Sequence, residues 1–395
     1  MAYYLNELGI ICALGSDKRS VYSATVQGSQ TGMVPSDRFS PGNEVFLGFV
    51  SGELPHVPAQ FNEFDCRNNR LLLAALGQIR ESVDRCIARF GADRVGVVLG
   101  TSTSGFAEGE KAIRQYVEVG STPEAYHFHQ QQLSGASDFI CAYLELGGPS
   151  MAVSTACSSS ANALASARRL IDLDTCDAVI VGGADSLCQL TVQGFSALEA
   201  TSAGLSNPFS KNRDGINIGE GAALMLLTRE RSEIELLGVG STSDAHHISA
   251  PDPSGKGAVR AMQSALRQGN LSADQVDYVN LHGTGTPLND AMESQAVFEL
   301  FGNQTWCSSS KPMTGHTLGA AGAIEIGLCW LLLNNDYNAS HRNLPHMWDG
   351  QVDAEIAALR FAAANEGFAQ PPRIALSNSF AFGGNNCSVL IGALS

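Results

Sequence analysis

Short apolar runs rich in β-branched residues alternate along the chain with amphipathic stretches of helical period, the pattern of an α/β protein. The apolar runs predict strands over residues 95–99, 150–154, 178–181, 222–228, 234–240, 278–281, 374–377 and 387–391. The helical period predicts helices over 69–90, 158–173, 258–268, 290–301 and 318–334. The last strand pair, ALSNSFAFGGNNCSVLIG, reads as two strands around a Gly-rich bend. The order of elements recurs in outline on either side of a charged break, TRERSE, dividing the chain into halves of 1–232 and 233–395. Residues 29–60 show no period and carry Pro35, Pro41, Pro55 and Pro58, which reads as a surface excursion.

Two apolar stretches need a decision. Near the N-terminus Asn6 and Glu7 interrupt the run and no basic segment precedes it, so it does not read as a secretory signal. The run 318–333 contains Glu325 and several Gly, and falls short of the ~20 residues a membrane span needs; a buried helix is expected. A length of 395 residues fits two domains or a duplicated one. A net charge of −15 argues against non-specific nucleic-acid binding or residence on an anionic membrane. The ten Cys form no CxxC pair and no zinc-type Cys/His cluster, which fits scattered thiols in a reducing cytoplasm. The adjacent His246 and His247 point different ways and have no ligand partners at suitable spacing, so no metal site is expected.

One of these thiols stands at a chemically favourable place. In MAVSTACSSSANALASARRLID a β-like run ends at Thr155-Ala156, and Cys157 then sits immediately before a helix. A thiol there meets the positive end of the helix dipole, and its own amide can face a developing oxyanion. A free thiol of pKa ~8.5 is only about 3% thiolate at pH 7; a shift to ~7 would make it half thiolate. By itself the segment suits a structural cysteine as well as a catalytic one.

Further along, DYVNLHGTGTPLNDAMES ends a strand at His282 and turns through Gly283 and Gly285, with Thr284 and Thr286 offering hydroxyls to an amide-containing ligand. SSSKPMTGHTLGAAGAIEIG places Lys311 and His316 five apart around a Gly turn. Glu325 lies in the apolar helix that follows and needs a cationic partner, for which Lys311 is the natural candidate. In NSFAFGGNN, Phe380 and Phe382 stand beside Gly383-Gly384, as a gate or as core plugs.

TACSSS, PFSKNRDGINIGEGA, HGTGTP, KPMTGHTLGAAGAIE and NSFAFGGNN occur in one order, and together they resemble the condensing enzymes of the thiolase superfamily, most closely the elongating β-ketoacyl-acyl-carrier-protein synthases. The resemblance spans residues 10–391. It implies a duplicated thiolase-type α/β fold, a five-layered αβαβα sandwich. It implies Cys157 as acyl-accepting nucleophile, His282 and His316 as the active-site histidines, and Lys311 and Glu325 as their support. The amides of Cys157 and Phe382 match the oxyanion hole, Phe382 the gate, and Thr284, Thr286 and Phe380 the binding of substrate and phosphopantetheine. The implied reaction is decarboxylative Claisen condensation of an acyl chain with malonyl on an acyl carrier protein, without cofactor or metal. The implied partners are the carrier protein and a second subunit, in a homodimer or in a heterodimer with a homologous chain-length subunit.

Some residues depart from the fatty-acid pattern. Ala381 stands where Gly is usual and would be strained if that position needed positive φ. Thr103 replaces an apolar residue facing the acyl pocket and, with Gln130–Gln132, points to a polyene or aryl-polyene type of chain. Arg67 and Arg70 fall where the family docks its carrier, with Lys211 and Arg213 as weaker candidates. Two rival readings are a thiolase, disfavoured because NSFAFGGNN lacks the second Cys, and a non-catalytic chain-length subunit, disfavoured because Cys157 and both histidines are present.

Overall fold

A computed structural model describes residues 2–393. Its strands in chain order are β1 (Tyr4–Cys12), β2 (Met33–Ser36), β3 (Val45–Gly48), β4 (Val95–Gly100), β5 (Ser150–Val153), β6 (Ala178–Asp185), β7 (Ile218–Gly219), β8 (Gly221–Thr228), β9 (Ile234–Ser243), β10 (Tyr278–Asn280), β11 (Trp306–Ser308), β12 (Arg360–Phe361), β13 (Ile374–Ala381) and β14 (Asn385–Ala393). β2, β3 and β7 form a small sheet, so the expected surface excursion 29–60 contains two paired strands.

The remaining strands repeat one topology. The first half runs β1-β8-β6-β4-β5; the second runs β9-β14-β13-β10-β11, with β12 added at its far edge. In each half the first two pairings are antiparallel and the next two parallel. The halves join where Tyr4 of β1 pairs with Glu235 of β9. This equivalence is the duplication that the element order only hinted at.

Strand alternation sends neighbouring side chains into different layers. Val98 faces a central core with Ala163 and Leu164 of the helix Ser159–Asp172 and Ile324 and Leu331 of the helix Ala321–Leu333. Val97 faces an outer core under Leu72, Leu76 and Ile79 of the helix Arg67–Phe90. The helix Lys256–Gly269 covers the opposite outside with Met262, Ala265 and Leu266 over Val279, Leu376 and Leu390. Outer helix, sheet, central helices, sheet and outer helix make the αβαβα sandwich. Ala321–Leu333 is buried at every position, so its unbroken apolar run serves the protein interior. No helix among the described residues is long and apolar enough to cross a membrane.

Candidate active site

The two central helices begin at the same end of the sandwich, which brings the nucleophile of one half to a histidine of the other. After β5 the chain turns sharply through Ala156, whose φ of +51° is left-handed and costs a residue with Cβ about 1–2 kcal/mol. The turn is held because the Ala156 carbonyl accepts from Ser159 N–H at 3.1 Å and Ser159 Oγ at 2.6 Å. Cys157 follows, buried, in the lining of a cavity of about 240 Å³. The backbone amides of Cys157 and Phe382 lie close enough to the sulfur to favour its thiolate.

The thiol differs from the sequence-based expectation. Burial pushes Cys157 up to about 11, with Asp185 adding to the rise; Lys311 and the two amides pull the other way and do not overcome it. Helix-start geometry is present, but desolvation of the anion outweighs it. Cys157 is therefore held as a neutral thiol.

His316 Nε2 lies 3.0 Å from Cys157 Sγ. Its Nδ1 accepts from Leu318 N–H at 3.3 Å, so the neutral ring carries its proton on Nε2. Lys311 fixes His282 in the same tautomer. The ammonium has three protons, directed to Glu325 Oε1, to the His282 carbonyl and to His282 Nδ1, the last at 3.3 Å. Burial and the Lys311 charge hold both histidines well below the usual imidazole range. Two Nε2–H donors thus converge beside Cys157 on rings 5.4 Å apart and nearly perpendicular. Cys157 and both histidines each place a potential ligand atom within 4.8 Å of the others, as a metal site would. Because each Nδ1 already accepts an N–H, however, each Nε2 presents a proton where an ion would need a lone pair.

Local sequence explains the placement of His316. Its N–H donates to Asn217 O at 2.6 Å and its carbonyl accepts from Gly219 N–H at 3.0 Å, so GINIGEG grips the histidine backbone. A Cβ on Gly315 would come 2.7 Å from Gly219 N, and Gly315 has a φ of +68°; both observations require glycine. On the other wall, Thr284 and Thr286 place their hydroxyls 2.9 Å apart in the cavity. Phe380 packs by His282, and Phe382 lies 5.7 Å from the Phe195 ring. Ala381 has φ −95° and ψ 157°, an ordinary extended conformation, so the strain expected there is absent from this form of the loop.

Other expected site residues lie elsewhere or are already engaged. The Thr103 hydroxyl is bonded to Asp185 Oδ1 at 2.8 Å, and Thr103 does not line the cavity, so it is not a polar wall for substrate. Gln130 spends its amide on Asp65 O and Ala125 O. Arg67 grips buried Glu220 with a two-pronged bond at 2.6 and 2.5 Å, and Arg70 does the same to Asp65 at 2.7 Å, so neither is a free cation for docking. Arg213 is likewise paired, with Asp353. His246 and His247 are exposed loop residues.

Sequence reasoning missed the buried carboxylates that hold the site. Glu293 accepts from His282 N–H and Gly283 N–H, both at 2.7 Å, and burial pushes it up to about 8. Asp290 accepts from Gly285 N–H and Phe209 N–H, tying the HGTGT turn to PFSKNRDG. Both fall in the helix Pro287–Phe301 at inward positions, a departure from amphipathic phase that was readable in NDAMES. His346 bridges Ser309 N–H and Pro208 O; no spacing signal pointed to it.

The chain matches the models "Beta-ketoacyl synthase, N-terminal domain" over 66–233 and "Beta-ketoacyl synthase, C-terminal domain" over 234–345. It is 30% identical to 3-oxoacyl-[acyl-carrier-protein] synthase 2 of Synechocystis, over 97% of this chain and 95% of that one. A ketosynthase from Xenorhabdus doucetiae, solved in complex with its chain length factor, is 45% identical with a TM-score of 0.93, covering 100% of this chain and 98% of that one. A β-ketoacyl synthase from Burkholderia phymatum is 27% identical with a TM-score of 0.87 and full coverage of both. Fold, motif order and these matches agree, and the chain belongs to the β-ketoacyl-acyl-carrier-protein synthases, the condensing enzymes of the thiolase superfamily.

Proposed function

We propose that Cys157 accepts an acyl chain from a carrier protein and that His282 and His316 then generate the nucleophile that extends it. In the first step the sulfur attacks the incoming thioester, and the amides of Cys157 and Phe382 hold the oxyanion. Losing one such donor typically costs about 3 kcal/mol of transition-state stabilisation. The carrier thiolate leaves and takes up the proton that Cys157 gives up, so the exchange is proton-neutral. In the second step the thioester carbonyl of a malonyl group accepts from both Nε2–H donors. The bond to its carboxylate breaks, CO2 departs, and the electron pair enters the enolate. The enolate carbon attacks the acyl–Cys157 carbonyl, the C–S bond breaks, and the sulfur recovers one proton from solvent. The observation that carries this reading is the pair of converging Nε2–H donors with both Nδ1 atoms occupied. They are hydrogen-bond catalysts, not bases, which suits a substrate that makes its own carbanion.

The second partner inferred is a homologous subunit, supported by the likeness to a ketosynthase solved with its chain length factor. A polyenoyl or aryl-enoyl substrate no longer rests on Thr103 or Gln130; its remaining support is the aromatic wall that Phe195 and Phe382, 5.7 Å apart and tilted by 44°, give the cavity. Incubating the protein with saturated, polyenoyl and aryl-enoyl carrier thioesters and weighing Cys157 by mass spectrometry tests both parts. An acyl adduct on Cys157, lost in Cys157→Ala, is expected, with conjugated chains preferred. No adduct refutes the reaction; preference for saturated chains refutes the substrate.

A further inference from the structure

Asp185, at the end of β6, is a fully buried carboxylate that accepts from three backbone N–H groups and two threonine hydroxyls. Its Oδ1 accepts from Thr101 Oγ1 at 2.7 Å, Ser102 N–H at 2.9 Å, Thr103 N–H at 2.7 Å and Thr103 Oγ1 at 2.8 Å. Its Oδ2 accepts from Ala320 N–H at 3.0 Å. The backbone N–H groups can only donate and so favour the carboxylate, whereas burial pushes the group upward. Four of these donors follow β4 in the first half, whereas Ala320 opens the central helix of the second half. Two residues before Ala320 stands Leu318, left-handed at φ +50°, whose N–H sets the His316 tautomer. A Cβ on Gly319 would lie 2.7 Å from Ser102 N and 2.8 Å from Asp185 Oδ2, so the turn reaches the carboxylate only as glycine.

We propose that Asp185 is a positioning residue for decarboxylation: it clamps the 317–320 turn of the second half to the 101–103 turn of the first, and so keeps Leu318 N–H on His316 Nδ1 and the His316 proton on Nε2. In the mechanism proposed above, acyl transfer does not need that proton, because its oxyanion is assigned to the Cys157 and Phe382 amides. The Asp185 charge even opposes the Cys157 thiolate, as Lys311 favours it. Losing the clamp should therefore split the two half-reactions.

The proposal rests on the condensing mechanism above, and the test separates the two. On the full chain, acyl transfer to Cys157 is followed by mass spectrometry, and malonyl-carrier decarboxylation by CO2 release from the pre-acylated protein. Asp185→Asn, which sets an NH2 group against backbone donors, is expected to slow decarboxylation at least ten-fold while acyl transfer stays within three-fold of wild type or rises. The ¹⁵N signals of His316 are expected to show the loss of a pure Nε2–H tautomer. Parallel losses in both half-reactions, or unchanged decarboxylation, overturn the proposal. If Asp185→Asn does not fold, Gly319→Ala decides in the same assay, since it pushes the turn off the carboxylate with the charge intact. A wild-type protein that releases no CO2 would instead sink the mechanism itself.

Discussion

The proton on Cys157 must leave during acyl transfer, and the charges facing the sulfur set how easily it goes. Burial, with a smaller push from Asp185, raises the thiol to about 11, and Lys311 is the largest opposing influence. His282 and His316 face the sulfur as neutral rings and add no charge. Lys311→Met removes the cation, which disfavours the thiolate; Glu325, already pushed up to about 7 by burial, loses the charge that lowers it and becomes neutral. The sign is therefore fixed: the pH inflection for alkylation of Cys157 by iodoacetamide should move up, and the rate at a fixed pH of 8–9 should fall several-fold. An inflection that stays or moves down would show that Lys311 does not act electrostatically on the sulfur. The variant should also lose condensation activity, since His282 Nδ1 loses the N–H that fixes its tautomer.

At the scale of elements, a pair expected to dock a carrier instead fastens the fold. Arg67 opens the helix Arg67–Phe90 and binds Glu220, which is fully buried between β7 and β8. Breaking a buried pair typically costs about 3–5 kcal/mol, and Arg67, 37% exposed on its side chain, belongs at the low end. Arg67→Glu should thus lower the denaturant midpoint strongly, whereas Arg70→Glu, facing the more exposed Asp65, should change it little. Equal small effects would refute the anchoring role. The same helix shows what was legible in advance. Its apolar stripe predicted 69–90 against the observed 67–90, and the five predicted helices and eight predicted strands all exist. β1 was not predicted because its alternation breaks at Asn6 and Glu7, where a register shift between Leu5 and Glu7 marks a bulge. β11, β12 and β7 are too short to carry a period. In the site, Cys157, His282, His316, Lys311, Glu325 and Phe382 lie together as the motifs implied. Thr103, Arg67 and Arg70 did not fit, because sequence shows a polar or charged residue but not the carboxylate that already engages it.

At the scale of the whole molecule, one margin of the sandwich is unfinished. β5 is the edge strand of the first half, and its Ser150 and Met151 are exposed. The helix Phe106–Val119, which follows β5's neighbour β4, turns Ile113, Tyr116 and Val117 outward on one face, Val117 being 79% exposed. An open strand edge and an apolar helix face are both liabilities in water. A second thiolase-type chain pairing through the same elements would satisfy both, which agrees with the inferred homologous partner. A net charge of −15 is evidence against casual self-association through the charged surface, so a contact made here should be specific and apolar. Light scattering on the protein purified from its native host should give a mass near twice that of the 41.6 kDa chain. The double change Ile113→Glu, Val117→Glu puts two carboxylates on the exposed face without touching a core position, and should reduce the mass to that of one chain with the fold retained by circular dichroism. A wild-type mass of one chain, or a variant that still assembles, would mean that this margin is not where the partner sits.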